Sequence, residues 1–298
     1  MEDATHPDRW HSTAAGVTVV GLATNLVLAA AKLAAGALCH SQIIVADGLH
    51  SLSDLATDIA VLAGLRISGR PADEDHHYGH RRAMTLVTAL LGAALLAAGV
   101  YVAYGAIHSF HDHAPPVRPG WPLAAAIASV ALKEALYRVT ARVGRRTGDS
   151  SIVANAWHHR SDAISSVAAA AGLTAVAIGG DRWQIADGAA ALLLASFLIV
   201  VATRIIRDAA GELMDRAPSA DQTARIERAV AATDGVASFH AFRARRLGGR
   251  IEMDIHVQVD PDLSVRRGHE IAATVKRSVM AACPDVATVI VHVEPVED

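Results

Sequence analysis

ADGLHSLSD (46–54) and AWHHRSDAISS (156–166) decide the reading of this chain. Each places a histidine four residues ahead of an aspartate, His50/Asp54 and His158/Asp162, within an apolar stretch of membrane-spanning length. Residues four apart lie one above the other on a helix face, so each pair presents an imidazole nitrogen and a carboxylate oxygen to one point. Two such helices facing each other supply two nitrogens and two oxygens, a donor set that suits a tetrahedral divalent ion of the zinc type. An ionised aspartate at mid-membrane costs about 2.5 to 3.5 kcal/mol, so Asp47, Asp54, Asp58 and Asp162 together would cost about 10 kcal/mol if uncompensated. The expectation is that a metal or a proton compensates them. The blander alternative is hydrogen bonding from helix to helix, but carboxylates cost far more than hydroxyls in lipid, and the same pair occurs twice. His159 points about 100° away from the pair and is not expected as a ligand. Ser51, Ser53, Asn155 and Ser161 are candidates to hold the second nitrogen of a metal-bound imidazole, with ordinary interhelical bonding the alternative. Asp47 and Asp58 extend the stripe and read either as an ion pathway or as groups near the membrane surfaces.

The 298 residues are 52% hydrophobic and 19% charged, with the apolar residues gathered in long runs before about Arg207. That is the composition of a polytopic membrane protein. A net charge of -3 offers no basic stripe for nucleic acid. The two cysteines, Cys39 and Cys283, lie in segments of opposite character, which excludes a disulfide framework and a cysteine-based zinc site. Metal chemistry must therefore use His, Asp and Glu.

Apolar runs predict six spans, at about 14 to 38, 43 to 66, 83 to 107, 121 to 141, 152 to 178 and 183 to 206, within a membrane domain of 14–208. The polar tail 1–13 lacks the basic and apolar regions of a cleavable signal, so the first span is expected to be the membrane address. Spans two and five hold the His/Asp pairs and must turn their polar stripe toward protein or water. Arg66, Arg70, Arg81 and Arg82 follow span two, Arg138 to Arg146 follow span four, and Arg204 and Arg207 end span six, while the opposite connections hold few cations. The positive-inside rule then places both termini in the cytoplasm. From Glu212 onward the texture is that of a small soluble α+β domain (212–296). A helix at 221 to 233, strands near 236 to 245 and at 251 to 260, a helix at 265 to 282 and a strand at 287 to 295 follow in that order. Its core would be thin, and association would help it.

Three further clusters carry ligand chemistry. PADEDHHYGH (71–80) packs Asp73, Glu74, Asp75, His76, His77 and His80 into one loop, where His76 and His80 could share a helical face although Gly79 argues against a helix. A solvated acidic loop is the alternative. HSFHDH (108–113), on the outer side, needs no role. In the terminal domain, His256 interrupts the polar face of one strand, and His292 and Glu294 share a face of the last. They could converge if those strands pair; otherwise they are surface residues.

The assembly resembles the cation diffusion facilitator family, in particular its bacterial YiiP/FieF-like branch of metal/proton antiporters. The motifs are ADGLHSLSD, RPADEDHHYGHRRAMTL (70–86), ANAWHHRSDAISS (154–166), MDRAP (214–218), DIHVQVD (254–260) and VIVHVEP (289–295), covering about 15 to 296. The resemblance implies six transmembrane helices with a ferredoxin-like cytoplasmic domain, and an intramembrane transport site of His50, Asp54, His158 and Asp162. It further implies a loop site of Asp73, His76 and His80, and a binuclear zinc site at a homodimer interface drawn from His240, His256, His269, His292 and Glu294. Here Glu294 replaces an Asp of the branch, and His50 stands where the branch has Asp, which makes the site less oxygen-rich and favours zinc over manganese. Arg82 and Asp215 fall where the branch has a basic/acidic pair near its hinge.

These readings together lead to the expectation of a proton-coupled exporter in the cell (inner) membrane, carrying Zn²⁺ or alternatively Fe²⁺, Co²⁺, Cd²⁺ or Mn²⁺ outward. Ligands must be deprotonated to hold metal, so protons compete with the ion. An intramembrane metalloenzyme is disfavoured because catalytic zinc keeps an open position and no H-E-x-x-H occurs. A membrane-anchored sensor would need fewer spans than six.

Overall fold

The computed structural model describes residues 14–111, 115–147 and 150–296. Six long helices come first: α1 (Ala14–Cys39), α2 (Gln42–Ser68), α3 (Arg82–His111), α4 (Gly120–Thr147), α5 (Ser150–Gly179) and α6 (Gln184–Leu213), with a 3₁₀ turn over Gly180–Trp183. At 26 to 30 residues each, they run about 39 to 45 Å, enough to cross a hydrocarbon layer of about 30 Å. Among the described residues, four stretches are long and apolar enough to span: Val19–Cys39, Arg82–Phe110, Ala156–Gly179 and Gln184–Leu213. α2 and α4 are diluted by their own charges, Asp47, Asp54 and Arg66 on one, Lys133, Glu134 and Arg138 on the other.

The contacts divide the chain into two compact units, one running through Ala60 and including Leu90–Arg204, the other comprising Val61–Ala89 and the chain from Ile205 onward. The first unit is a helical bundle in which α1 packs on α4 and α4 on α5. Its core joins Ile43, Ile44 and Ala46 of α2 with Val102 and Ala106 of α3, Ala126 of α4, Ala169 and Leu173 of α5, and Ala191, Leu194 and Ala195 of α6. The alanines matter, because small residues let helix backbones approach closely where lipid supplies no hydrophobic drive.

One contact sets the start of α2. Asp187, near the start of α6 and buried, accepts hydrogen bonds from Gln42 N (2.7 Å), Ile43 N (3.4 Å) and the Ser41 hydroxyl. The unpaired N–H groups of the first turn of α2 are thus satisfied by a carboxylate from another helix, which also favours the positive end of the helix dipole.

In the second unit, α7 (Ala220–Ala231), β1 (Ser238–Leu247), β2 (Arg250–Val259), α8 (Val265–Ala282) and β3 (Val286–Pro295) follow in the predicted order. β2 lies at the centre of the sheet, antiparallel to β1 and parallel to β3. The strict alternation of β2 puts Ile251, Met253, Ile255, Val257 and Val259 into a core with Ile226 and Val230 of α7 and Ile271, Val275 and Val279 of α8. The opposite face of the sheet carries the histidines. Gly248 and Gly249 form the two-residue turn between β1 and β2 with φ of +57 and +76, the primed geometry that non-glycine residues resist. A side chain at Gly248 would also meet the Arg81 carbonyl at 2.7 Å.

Candidate metal centres

The first candidate site is assembled from α2 and α5. His50, Asp54 and Asp162 each offer a ligand atom, and these atoms lie within 4.8 Å of one another. His50 Nδ1 is 3.7 Å from Asp54 Oδ1, the separation expected one helical turn apart. The fourth sequence-predicted ligand, His158, sits 3.6 Å from Asp162 Oδ1 through Nδ1 but is 48% exposed and falls outside the tight set. Buried Oδ2 of Asp162 and Nδ1 of His50 have no hydrogen-bond partner. A buried acceptor left unsatisfied is costly, and a bound cation would satisfy it. His159 packs near Gly21 and Leu136. The side chains of Asn155 and Asp58 lie outside the described residues.

Two buried lysines that sequence reading passed over change the charge balance. Lys32 Nζ lies 2.8 Å from Asp47 Oδ2, 3.1 Å from Ser51 Oγ and 2.9 Å from Ser166 Oγ. Asp47 also accepts from Ser165 Oγ at 2.7 Å. Asp47 is therefore buried in an ion pair rather than a group at the membrane surface, and Ser51 serves this pair. The compensation expected from a metal or proton is here supplied by an ammonium. Lys133, on α4, places Nζ 3.9 Å from Asp162 Oδ2 and 3.4 Å from the Asp162 carbonyl. The signal was present: a lysine inside LVLAAAKLAAG (26–36) costs as much in lipid as an aspartate.

The loop site forms without a helix. Asp73, His76 and His80 bring ligand atoms within 4.8 Å of one another, because a turn closed by Gly79 N to His76 O (2.8 Å) with φ +77 at Gly79 folds His80 back. Asp73 Oδ1 accepts from His76 N at 2.8 Å, and His80 Nε2 is 3.3 Å from Asp73 Oδ2. As Gly79 argued, His76 and His80 do not share a helical face but are joined by a turn, which glycine makes possible. Desolvation, the largest single influence, raises the Asp73 carboxyl, but hydrogen bonds from the His76 backbone and ring together with the charges of His80 and His76 outweigh it and hold it below its usual value. Glu74, Asp75 and His77 are exposed and stay outside the set.

On the open face of the sheet, β1 sets His240 opposite His256, and β2 sets His256 opposite His292. Glu294 Oε2 accepts from His240 Nε2 and Oε1 from His256 Nδ1, each at 2.7 Å, while His292 Nε2 is 3.5 Å from Oε1. The hydrogen bond from His240, chiefly, holds the Glu294 carboxyl below its usual range, partly opposed by desolvation and aided by His256. A bulge between His240 and Arg243, with φ +49 at Ala241, bends β1 just beside the site. His269 is exposed on α8 and outside this set; it lines a groove along β3 with Val293 and Glu294. Arg82 Nη2 pairs with Asp215 Oδ1 at 2.8 Å, while Glu212, unremarked in the sequence, accepts from Thr85 Oγ1 at 2.7 Å and from Gly248 N. Of HSFHDH, residues 108–111 belong to the end of α3 rather than to a loop, and residues 112 and 113 lie outside the described residues.

Residues 18–214 match the cation efflux transmembrane domain and residues 218–296 the cytoplasmic domain of cation efflux proteins. The chain is 34% identical to metal tolerance protein C1 of Arabidopsis thaliana over 93% of its own length and 61% of that protein's, so it spans less than two thirds of that relative. It is 32% identical to the manganese efflux system protein MneP of Bacillus subtilis, over 94% of this chain and 95% of that one. A solved nickel form of a MamM CTD variant is 28% identical, covering 26% of this chain and 100% of that chain with a TM-score of 0.26.

Proposed function

The chain belongs to the cation efflux family, whose members are transporters rather than enzymes, and on that premise we propose that it exports divalent metal in exchange for protons. In this reading Zn²⁺ is the cargo, the chain works as a homodimer in the cell (inner) membrane, α1 to α6 all span, and both termini are cytoplasmic. The observation that carries it is the meeting of His50, Asp54 and Asp162 on two helices far apart in sequence. Rotation of the half-exposed His158 would complete two nitrogens and two oxygens, a set for a borderline cation such as zinc. Imidazole and carboxylate ligands bind metal only when deprotonated, so a proton arriving from the other side competes with the ion at the same atoms. Burial of Asp47 on α2 and of Lys133 on α4 allows both helices to span despite those charges.

The cytoplasmic-domain match supports dimerisation. In this reading resident metal at His240, His256, His292 and Glu294, with His269 contributing near the interface, stabilises the paired state, and Asp73, His76 and His80 hold a further ion.

Manganese is a second reading, favoured by the name of the relative MneP. Oxygen-rich sites suit Mn²⁺, and His50 is the ligand that argues against it. Reconstituted vesicles carrying metal- and pH-sensitive dyes decide both points. The expected result is zinc flux with opposite proton movement. Manganese flux exceeding zinc flux would select the second reading, and metal flux with no proton movement would overturn the exchange.

A further inference from the structure

Two lysines are buried among the helices, and their surroundings differ. Lys32 Nζ has three N–H donors and three oxygen partners between 2.8 and 3.1 Å, so it is fully engaged with Asp47, Ser51 and Ser166. Lys133 is 1% exposed, yet among the described residues its partners are only the Asp162 carbonyl at 3.4 Å and Asp162 Oδ2 at 3.9 Å. The second distance is beyond a hydrogen bond, and that carboxylate oxygen has no hydrogen-bond partner. The ammonium is thus close enough to neutralise Asp162 without being bonded to its carboxylate.

The geometry points to Lys133 as a tethered counter-cation of the transport site, one that balances Asp162 when the site is empty and repels the dication when it is full. The inference rests on reading His50, Asp54 and Asp162 as that site. With Lys32 and Asp47 cancelling, two carboxylates and one ammonium leave the empty site with one negative charge. A dication turns this into one positive charge, whereas without Lys133 the loaded site is neutral. In a weakly screened interior the repulsion between Lys133 and the ion is strong. It lowers affinity for the bound ion, hastens its release, and returns the ammonium to Asp162 afterwards. Lys133 acts on the ion through space and through Asp162; it is a positioning residue and contributes no ligand atom.

The test is equilibrium binding of Zn²⁺ and of Mn²⁺ to the purified full-length protein, by competition with a chelating dye, in a background with His76, His80, His256 and His292 changed to alanine. Lys133→Met should bind metal at least about tenfold more tightly, a change of about 1.4 kcal/mol. In vesicles it should saturate at lower metal and run at a lower maximal rate. Lys133→Arg, which keeps the charge, should stay within about threefold of the parent. Weaker or unchanged binding by folded Lys133→Met overturns the proposal, since a purely structural lysine would give that result. If Lys133→Met does not fold, Lys133→Gln, which can still bond the Asp162 carbonyl, carries the same expectation. Asp162→Asn separates the two readings. Loss of binding in Asp162→Asn with no tightening in Lys133→Met rejects only the counter-cation, whereas parental binding in Asp162→Asn rejects the site itself.

Discussion

Lys32 Nζ and Asp47 Oδ2 meet at 2.8 Å with both side chains closed off from solvent, an ion pair that ties α1 to α2. The hydroxyls of Ser51, Ser165 and Ser166 complete its hydrogen bonds, so α5 is drawn into the same network. Asp47 lies three residues before His50, and the pair therefore anchors the face of α2 that carries the candidate ligands.

Removing one partner leaves a buried charge uncompensated, at a cost of about 3 to 5 kcal/mol. Lys32→Met and Asp47→Leu should each lower the melting temperature in detergent markedly, and the double variant should recover much of the loss. A parental melting curve for either single variant would show that the pair contributes nothing.

Asp162→Ala and Asp54→Ala should abolish metal flux in a protein that still folds, because the remaining ligands match a dication poorly. His50→Asp should retain flux and shift preference toward Mn²⁺ or Cd²⁺, as an oxygen replaces a nitrogen. Flux measured over a metal panel checks both, and unchanged selectivity would mean that His50 does not set it.

Glu294 is held below its usual carboxylate pKa chiefly by the hydrogen bond from His240. A depressed carboxyl contributes stability above its unfolded value of about 4.5 and loses it as pH falls through the lower folded value. The isolated segment 218–296, whose core comes entirely from its own residues, should lose melting temperature below that pH more steeply than its Glu294→Gln variant. Near neutral pH, zinc should raise the melting temperature of the parent, and His256→Ala with His292→Ala should remove the increase. Identical curves with and without zinc would leave the site without a metal.

Metal at Asp73, His76 and His80, if coupled to transport, must act reciprocally with the intramembrane site. Replacing His76 and His80 by alanine should change the metal concentration giving half-maximal flux while the intramembrane ligands remain intact. An unaltered dependence would reduce the loop to a solvated acidic connection.

Periodicity alone sufficed for the elements. A 3.6-residue apolar repeat or run leaves few choices for helices such as α3, and the strict alternation of 251 to 260 fixes which face of β2 is buried. Spacing put each His/Asp pair on one helix face, since four residues on a helix always return to one face, but it did not bring His158 into the tight set. Three things needed the folded chain. The turn at Gly79, rather than a helix, brings His80 back to Asp73. The pairing of β1, β2 and β3 decides that His240, His256 and Glu294 converge. The partners of the intramembrane carboxylates were also hidden, for Lys32 and Lys133 lie on helices where nothing in the local pattern says which aspartate each will meet. Local sequence determined the elements and the His/Asp pairs because those follow from backbone repeat distances of a few residues. Tertiary structure decided how the charges balance, because electrostatic pairing acts through space between residues more than a dozen positions apart.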